Sequence, residues 1–135
     1  MKKIGFCIAA CAALSAGCAD LPMNLAKGPN PANPRVTIVS GNNIVVNQEP
    51  IVVPKGAQNF SITWELPRFS SYTFPEDGIV IANGAEAFKC NLEAGRTRFT
   101  CTARNFITKR YKYTVKVKDG ERALPPLDPS IMPDV

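Results

Sequence analysis

The stretch from Phe88 to Ala103 constrains the fold more than any other part of the chain. It contains the glycine-first pair Gly95-Arg96, which suits the two-residue turn of a β-hairpin. A turn at this pair sets Cys90 directly opposite Cys101, on a face that is otherwise apolar because strand side chains alternate. The sequence therefore predicts two neighbouring antiparallel strands that are joined by a Cys90–Cys101 disulfide.

The two cysteines of this stretch have two alternative roles, in a reactive thiol pair or in a metal site. A structural zinc site needs four ligands, but the chain contains no histidine and this pair supplies only half of a set. An apolar face also raises the pKa of a thiol, which disfavours a reactive pair. We therefore expect a structural disulfide, no metal and no cofactor.

The absence of histidine also argues against catalysis. Histidine is the commonest general base in enzymes, and the serines of this chain stand in neither a Gly-x-Ser-x-Gly nor a Ser-x-x-Lys motif. The adjacent carboxylates Glu76 and Asp77 lie in a Pro-x-Asp-Gly turn, where such residues are ordinary. The sequence therefore indicates a protein that is not an enzyme.

Residues 1–18 have the composition of a secretory signal peptide. Lys2 and Lys3 precede an apolar run from Ile4 to Ala16, which is too short to span a membrane as a helix. Without this segment, fourteen basic residues face eleven acidic ones, so the mature chain carries a net charge of about +3. The basic character of the whole chain is therefore partly a property of its targeting segment.

The run Leu14-Ser15-Ala16-Gly17-Cys18 resembles the lipobox of bacterial lipoproteins. It departs from the commonest form of that motif because Ser15 stands where a large aliphatic residue is usual. The resemblance implies that Cys18 is acylated with chains such as palmitate, which anchor the protein stably. Ala19 is not the aspartate associated with inner-membrane retention, so the implied location is the outer membrane, facing the periplasm. The alternative is an ordinary signal peptide and a soluble periplasmic protein.

The mature sequence indicates an all-β fold. About eight short segments, separated by turns at intervals of about ten residues, predict an antiparallel β-sandwich of 7–8 strands, and no window has helical periodicity. A single tryptophan on an inner strand, here Trp64, is a feature shared with immunoglobulin-like sandwiches. The mature domain resembles small uncharacterised envelope proteins of proteobacteria that have such sandwiches. A disulfide within one hairpin departs from that pattern. In the connection after the hairpin, we expect Phe106 and Ile107 to point inward.

Proline-rich segments flank this predicted domain. Residues 19–34 contain four prolines without periodicity, which predicts an extended tether, and the sandwich then spans residues 35–120. Residues 121–135 form a tail that also contains four prolines, so we expect no central strand there. The apolar residues of the tail favour partial docking on the domain over a free extended peptide.

Basic residues alternate with buried-type residues along the clearest strand, which spans residues 111–118. The basic residues of interest are Lys112, Lys116 and Lys118, with Arg98 and Arg104 from the neighbouring hairpin. They form either a solvated face that keeps an outer strand soluble, or a surface for anionic lipid phosphate or an acidic glycan. Nucleic acid is not an expected partner, because alternation buries the tyrosines and the predicted location is outside the cytoplasm.

The densest aromatic cluster lies between two prolines, at residues 68–74. Tyr72 and Phe74 have strand spacing, so we expect both to lie in the core. Phe69 follows Arg68 in a loop, where contacts with partners concentrate. Phe69 and Arg68 are therefore candidate binding residues.

These features together predict a lipid-anchored envelope protein that works without catalysis. We expect an accessory or adaptor module that is held at the membrane by Cys18 and contacts a protein of the cell envelope. One alternative is a binder of anionic glycan or lipid through the basic face. Another is an inhibitor of a hydrolase that attacks the envelope.

Overall fold

A computed structural model describes residues 29–134, and within them all regular structure is β-strand. The strands are β1 (Val36–Val39), β2 (Asn43–Val46), β3 (Ile51–Val53), β4 (Ser61–Glu65), β5 (Tyr72–Thr73), β6 (Ile79–Ile81), β7 (Phe88–Leu92), β8 (Arg98–Ala103), β9 (Tyr111–Val115), β10 (Lys118–Asp119), β11 (Arg122–Ala123) and β12 (Ser130–Pro133). The predicted signal peptide, Cys18 and most of the predicted tether lie outside these residues. Across 29–134, no helix has the length and apolarity to span a membrane.

The strands form a β-sandwich, which confirms the predicted fold class. One sheet has the order β4-β8-β7 and is antiparallel, and the other large sheet has the order β3-β12-β9-β6. Two smaller sheets, β1-β2 and β11-β10-β5, complete the structure. One strand pair, β3–β12, is parallel. The twelve strands exceed the predicted number because several of them are only two or three residues long.

The β7–β8 hairpin has the predicted register and disulfide. Cys90 lies opposite Cys101, with Cα atoms 4.0 Å apart and the sulfurs bonded. The turn itself is different, because the N–H of Arg96 donates to the carbonyl of Glu93 at 3.0 Å and Gly95 has a φ of 88°. Glycine at the third position of a β-turn suits this geometry. The hairpin therefore closes through a four-residue loop, 94–97, that preserves the register of a two-residue turn.

The core between the sheets is aromatic and consists of the side chains that strand alternation predicts. Trp64 and Tyr113 are both fully buried, and the indole N–H of Trp64 donates to the Tyr113 hydroxyl at 3.1 Å. Burial raises the pKa of Tyr113 far above its ordinary value. Phe74 and Phe99 pack edge to face beside this pair, with ring centroids 5.8 Å apart. The indole N–H of Trp64 therefore has a hydrogen-bond partner, and the Tyr113 hydroxyl stays uncharged, as burial in a stable core requires.

The prediction that the proline-rich tail forms no central strand is wrong. β12 lies between β3 and β9, with Ile131 facing Ile51 on one side and Tyr111 on the other. Pro129 precedes this strand and Pro133 ends it, so the residues between them keep the N–H groups that the ladder needs. The expected docking of the tail is confirmed, because Ile131 is fully buried. The packed structure therefore continues past Gly120.

The last residues of the predicted tether also lie against the domain. The N–H groups of Thr63 and Glu65 donate to the carbonyls of Ala32 and Pro34, at 2.9 and 3.2 Å. Residues 32–35 thus run parallel to β4 and cover its outer edge. The chain consequently enters the domain near the Ser61 end of β4 and runs towards the Glu65 end.

Candidate functional site

The three lysines of the predicted basic face are already paired within the molecule. The Lys112 ammonium donates to the carbonyl of Asp128 at 2.7 Å, and the Lys116 ammonium lies 2.7 Å from the Asp77 carboxylate. This hydrogen bond from Lys116 lowers the pKa of the Asp77 carboxyl below its ordinary value. Lys118 lies 3.6 Å from the carboxylate of Glu121. A second anion would have to compete with groups that neutralise or occupy these lysines.

The two arginines of the basic set do not join the lysines in one patch. Arg98 lies in the other large sheet and contacts the carboxylates of Glu65 and Glu93 at 3.4 and 3.6 Å. Arg104 follows the far end of β8, six residues away along a strand that rises about 3.3 Å per residue. The structure therefore brings together single ion pairs, not a continuous cationic surface.

Phe69 is the most exposed large apolar residue among those that the structure describes. Its relative exposure is 105%, whereas Phe74 of the same cluster is fully buried and Tyr72 is half-buried against the core. The predicted division of this cluster into core residues and an exposed loop residue is confirmed. Phe69 contributes nothing to the packing of the domain.

The backbone at Phe69 adopts a left-handed conformation with a φ of 56°. Within residues 29–134, five non-glycine residues have positive φ, and Phe69 is the aromatic one among them. This conformation costs a residue with a Cβ about 1–2 kcal/mol. Strained residues that persist without a packing reward are concentrated at functional sites.

Hydrogen bonds hold the loop between β4 and β5, here called the Phe69 loop (residues 67–71), in this conformation. The Ser70 hydroxyl donates to the carbonyl of Pro67 at 3.0 Å and accepts from the N–H of Tyr72 at 3.4 Å. The Ser71 hydroxyl donates to the carboxylate of Asp119, the last residue of β10 before the β10–β11 turn. The loop is therefore tied at both ends, and the side chain of Phe69 is presented from a fixed backbone.

A third turn supports the same end of the sandwich. The Arg122 guanidinium donates to the carbonyl of Gly41, between β1 and β2, at 3.1 Å and lies 3.4 Å from the carboxylate of Asp119. Asp119 in turn accepts from Ser71 of the Phe69 loop. Hydrogen bonds and an ion pair thus link the Phe69 loop, the β10–β11 hairpin and the β1–β2 turn to one another.

A groove of about 400 Å³ lies beside the Phe69 loop. Its walls come from residues 35–37 and 65–68, and they include the ion pair between Arg35 and Glu65. Arg68, the second candidate of the cluster, lines this groove. The site therefore combines a projecting aromatic ring with an adjacent open groove that contains both apolar and charged side chains, which suits a protein surface more than an enclosed small molecule.

The prediction that Phe106 points inward is wrong. Its side chain is 52% exposed, whereas Ile107 packs against the core as predicted. Phe106 lies in the connection from β8 to β9, beside Lys55 and Pro133, at the end of β8 that is remote from the Phe69 loop. Neighbouring residues in an irregular connection have no fixed alternation, so the pattern could not tell which of the two points inward.

The described part of the chain offers no constellation for metal binding. No group of three or more histidine, cysteine, aspartate or glutamate side chains in residues 29–134 is arranged to hold a metal ion. The exposed Phe69 loop and the groove beside it are the candidate site. Comparison with protein-family models and with curated protein sequences found no match to the chain.

Proposed function

We propose that this protein is a non-catalytic binding module of the bacterial cell envelope that docks onto a partner protein through the Phe69 loop. Acylated Cys18 would anchor it to the outer membrane. The observation that carries the proposal is the full exposure of Phe69 on a strained and hydrogen-bonded loop. An aromatic residue in such a position has the properties of an interface anchor.

The loop is suited to a protein partner because it is preorganised. Binding usually costs about 0.5–1.5 kcal/mol for each side chain that must be ordered. The hydrogen bonds from Ser70 and Ser71 order the backbone of this loop in advance. Phe69 offers a large apolar area, and Arg68 beside it offers a charged group for the polar rim.

The position of the loop also favours a partner that is away from the membrane anchor. The chain enters the domain near the Ser61 end of β4, and the Phe69 loop follows the Glu65 end. The five residues of β4 span about 17 Å. A tether from Cys18 would therefore reach the domain at the end opposite Phe69, which leaves the aromatic ring facing outward.

The two alternatives have less support. A binder of anionic glycan or lipid needs free cations, but Lys112 and Lys116 already contact Asp128 and Asp77. A hydrolase inhibitor would also act through an exposed loop, and it would be a special case of the proposed docking. Protection of the envelope by the purified protein against lytic hydrolases would identify that case.

Site-specific photocrosslinking in intact cells tests the proposal. A photoreactive phenylalanine analogue at position 69 should yield one reproducible crosslinked protein, which mass spectrometry identifies. The matched control carries the analogue at position 106, an exposed phenylalanine at the other end of the domain, and should not yield that product. Identical products from both positions, or none from position 69, would contradict docking through this loop.

A further inference from the structure

The outer edge of β7 is an unpaired sheet edge. β7 pairs with β8 on one side, where the N–H of Glu93 donates to Arg98 and the N–H of Arg104 donates to Ala87. Backbone groups alternate in direction along an antiparallel ladder, so those of Cys90 and Leu92 point away from β8. No strand among residues 29–134 covers these two N–H and two carbonyl groups.

The opposite edge of the same sheet is protected. Residues 32–35 lie along β4 and accept hydrogen bonds from Thr63 and Glu65. The outward N–H of Phe88, at the start of β7, is also satisfied, because it donates to the carbonyl of Gly84 at 2.8 Å. Cys90 and Leu92 are thus the residues of β7 whose outward N–H and carbonyl groups are both unpaired. The Cys90–Cys101 disulfide ties this segment to β8 and keeps it extended.

We propose that two copies of this chain pair through β7, in an antiparallel arrangement whose two-fold axis passes through Asn91. Cys90 then exchanges two backbone hydrogen bonds with the partner's Leu92, and Leu92 does the same with the partner's Cys90. All outward backbone groups of these residues are satisfied by this reciprocal pairing. The two three-stranded sheets become one continuous sheet of six strands.

Charge complementarity selects this register. With the axis at Asn91, Lys89 faces the partner's Glu93 and Glu93 faces the partner's Lys89, so two opposite-charge pairs form across the interface while each Glu93 keeps its contacts with Arg98 and Thr100 of its own chain. A shift of the axis to Cys90 would place Lys89 opposite the partner's Asn91. It would also require the N–H of Phe88, which Gly84 already occupies. Only the first register uses both the charges and the free backbone groups.

A groove beside the edge has room for the partner's side chain. It has a volume of about 500 Å³, with Cys90, Leu92 and Phe99 on its apolar part and the charged residues Glu76, Glu93 and Arg96 along the rest of its lining. In a hydrogen-bonded pair the two facing side chains lie on the same face of the sheet. The partner's Leu92 therefore lies beside Cys90 and enters this groove. Each Leu92, half-buried in the single chain, would lose its remaining contact with water.

Cysteine substitution in the full chain tests the proposed pairing. Asn91 faces its own copy in a non-hydrogen-bonded pair, where Cα atoms lie about 4.5 Å apart, and this distance permits a disulfide. Asn91→Cys should therefore form a covalent dimer on mild oxidation, seen on a non-reducing gel. Peptide mapping checks that Cys90 and Cys101 remain joined to each other.

Ala94→Cys is the matched control, because Ala94 is exposed, lies two residues beyond β7 and takes no part in the charge pairs. It faces the partner's Phe88, so the two substituted residues are about 20 Å apart and should not crosslink. Dimer from position 91 and monomer from position 94 is the expected result. Monomer from both, or equal dimer from both, would overturn the proposed register.

Charge reversal provides a second test that needs no new cysteine. Lys89→Glu turns both interface charge pairs into repulsive ones and should raise the dimer dissociation constant of the full chain about tenfold. Adding Glu93→Lys restores opposite charges and should restore the dimer. Sedimentation of the chain in detergent measures both effects. An unmodified chain that stays monomeric at every protein concentration tested would refute pairing through β7.

Discussion

Loss of the Cys90–Cys101 disulfide should destabilise the domain by an amount that the structure allows us to work out. The bridge closes a loop with a sequence separation of 11 residues. In the chain-entropy model, a loop of this size stabilises the folded state by about 3 kcal/mol. For a domain of about 100 residues, the entropy of unfolding is about 0.2 kcal/mol per kelvin. Cys90→Ser should therefore lower the melting temperature by about 15 °C.

The two cysteines should not be equivalent, because their burial differs. Cys101 is fully buried in β8, whereas Cys90 is exposed on the edge strand. Serine at position 90 loses the bridge alone. Substitution of Cys101 by serine removes the same bridge and also buries a hydroxyl that has no hydrogen-bond partner, which costs about 1–3 kcal/mol more. We expect Cys101→Ser to be the less stable variant.

Thermal unfolding of both variants, together with thiol labelling, measures these effects. The thiol of Cys90 in Cys101→Ser should react at once with a thiol reagent, because it is exposed. The thiol of Cys101 in Cys90→Ser should react only as fast as the domain opens. Unchanged melting temperatures, or equal labelling rates for the two thiols, would refute this reasoning.

Three other substitutions or deletions follow from the structure. Phe69→Gly should leave the free energy of unfolding unchanged or raise it by up to about 1 kcal/mol, because glycine tolerates the positive φ. The same substitution should abolish crosslinking to the partner. A marked loss of stability in urea would show that the ring packs on the domain. Tyr113→Phe should cost about 1–3 kcal/mol in urea unfolding, because it leaves the buried N–H of Trp64 without its acceptor, whereas the control Tyr111→Phe should cost less. Truncation after Gly120 should abolish cooperative unfolding, as measured by circular dichroism, because it removes β12 from the middle of its sheet. A truncated domain that still unfolds cooperatively would contradict a central role for β12.

The parts of the fold that depend on nearby residues could be predicted from the sequence. Strand alternation located the buried residues of β4 and β9, and the turn centred on Gly95-Arg96 predicted the register of the β7–β8 hairpin. Both signals act over fewer than about fifteen residues. The turn at Gly95 was predicted with the wrong length because two- and four-residue loops that are centred on the same bond give the same register.

The parts that depend on distant residues could not be predicted. β3 and β12 pair across about eighty residues of sequence, and the segment between Pro129 and Pro133 is too short to show strand alternation in the sequence. The neutralisation of Lys116 by Asp77 spans 39 residues, so the lysine face had the appearance of a free surface. The exposure of Phe69 was predictable because Tyr72 and Phe74 have the two-residue spacing of a strand, whereas Phe69 does not share that spacing.

The two proposed surfaces have a joint consequence for the number of partners. β4 is antiparallel to β8 and β8 is antiparallel to β7, so β4 and β7 run in the same direction. An antiparallel β7 pair would therefore direct the two Phe69 loops towards opposite ends of the dimer. Each dimer would hold two partner molecules that do not contact each other. Lys89→Glu would then reduce the complex to one copy of each protein without weakening the Phe69 contact, whereas Phe69→Gly would leave the dimer intact and empty.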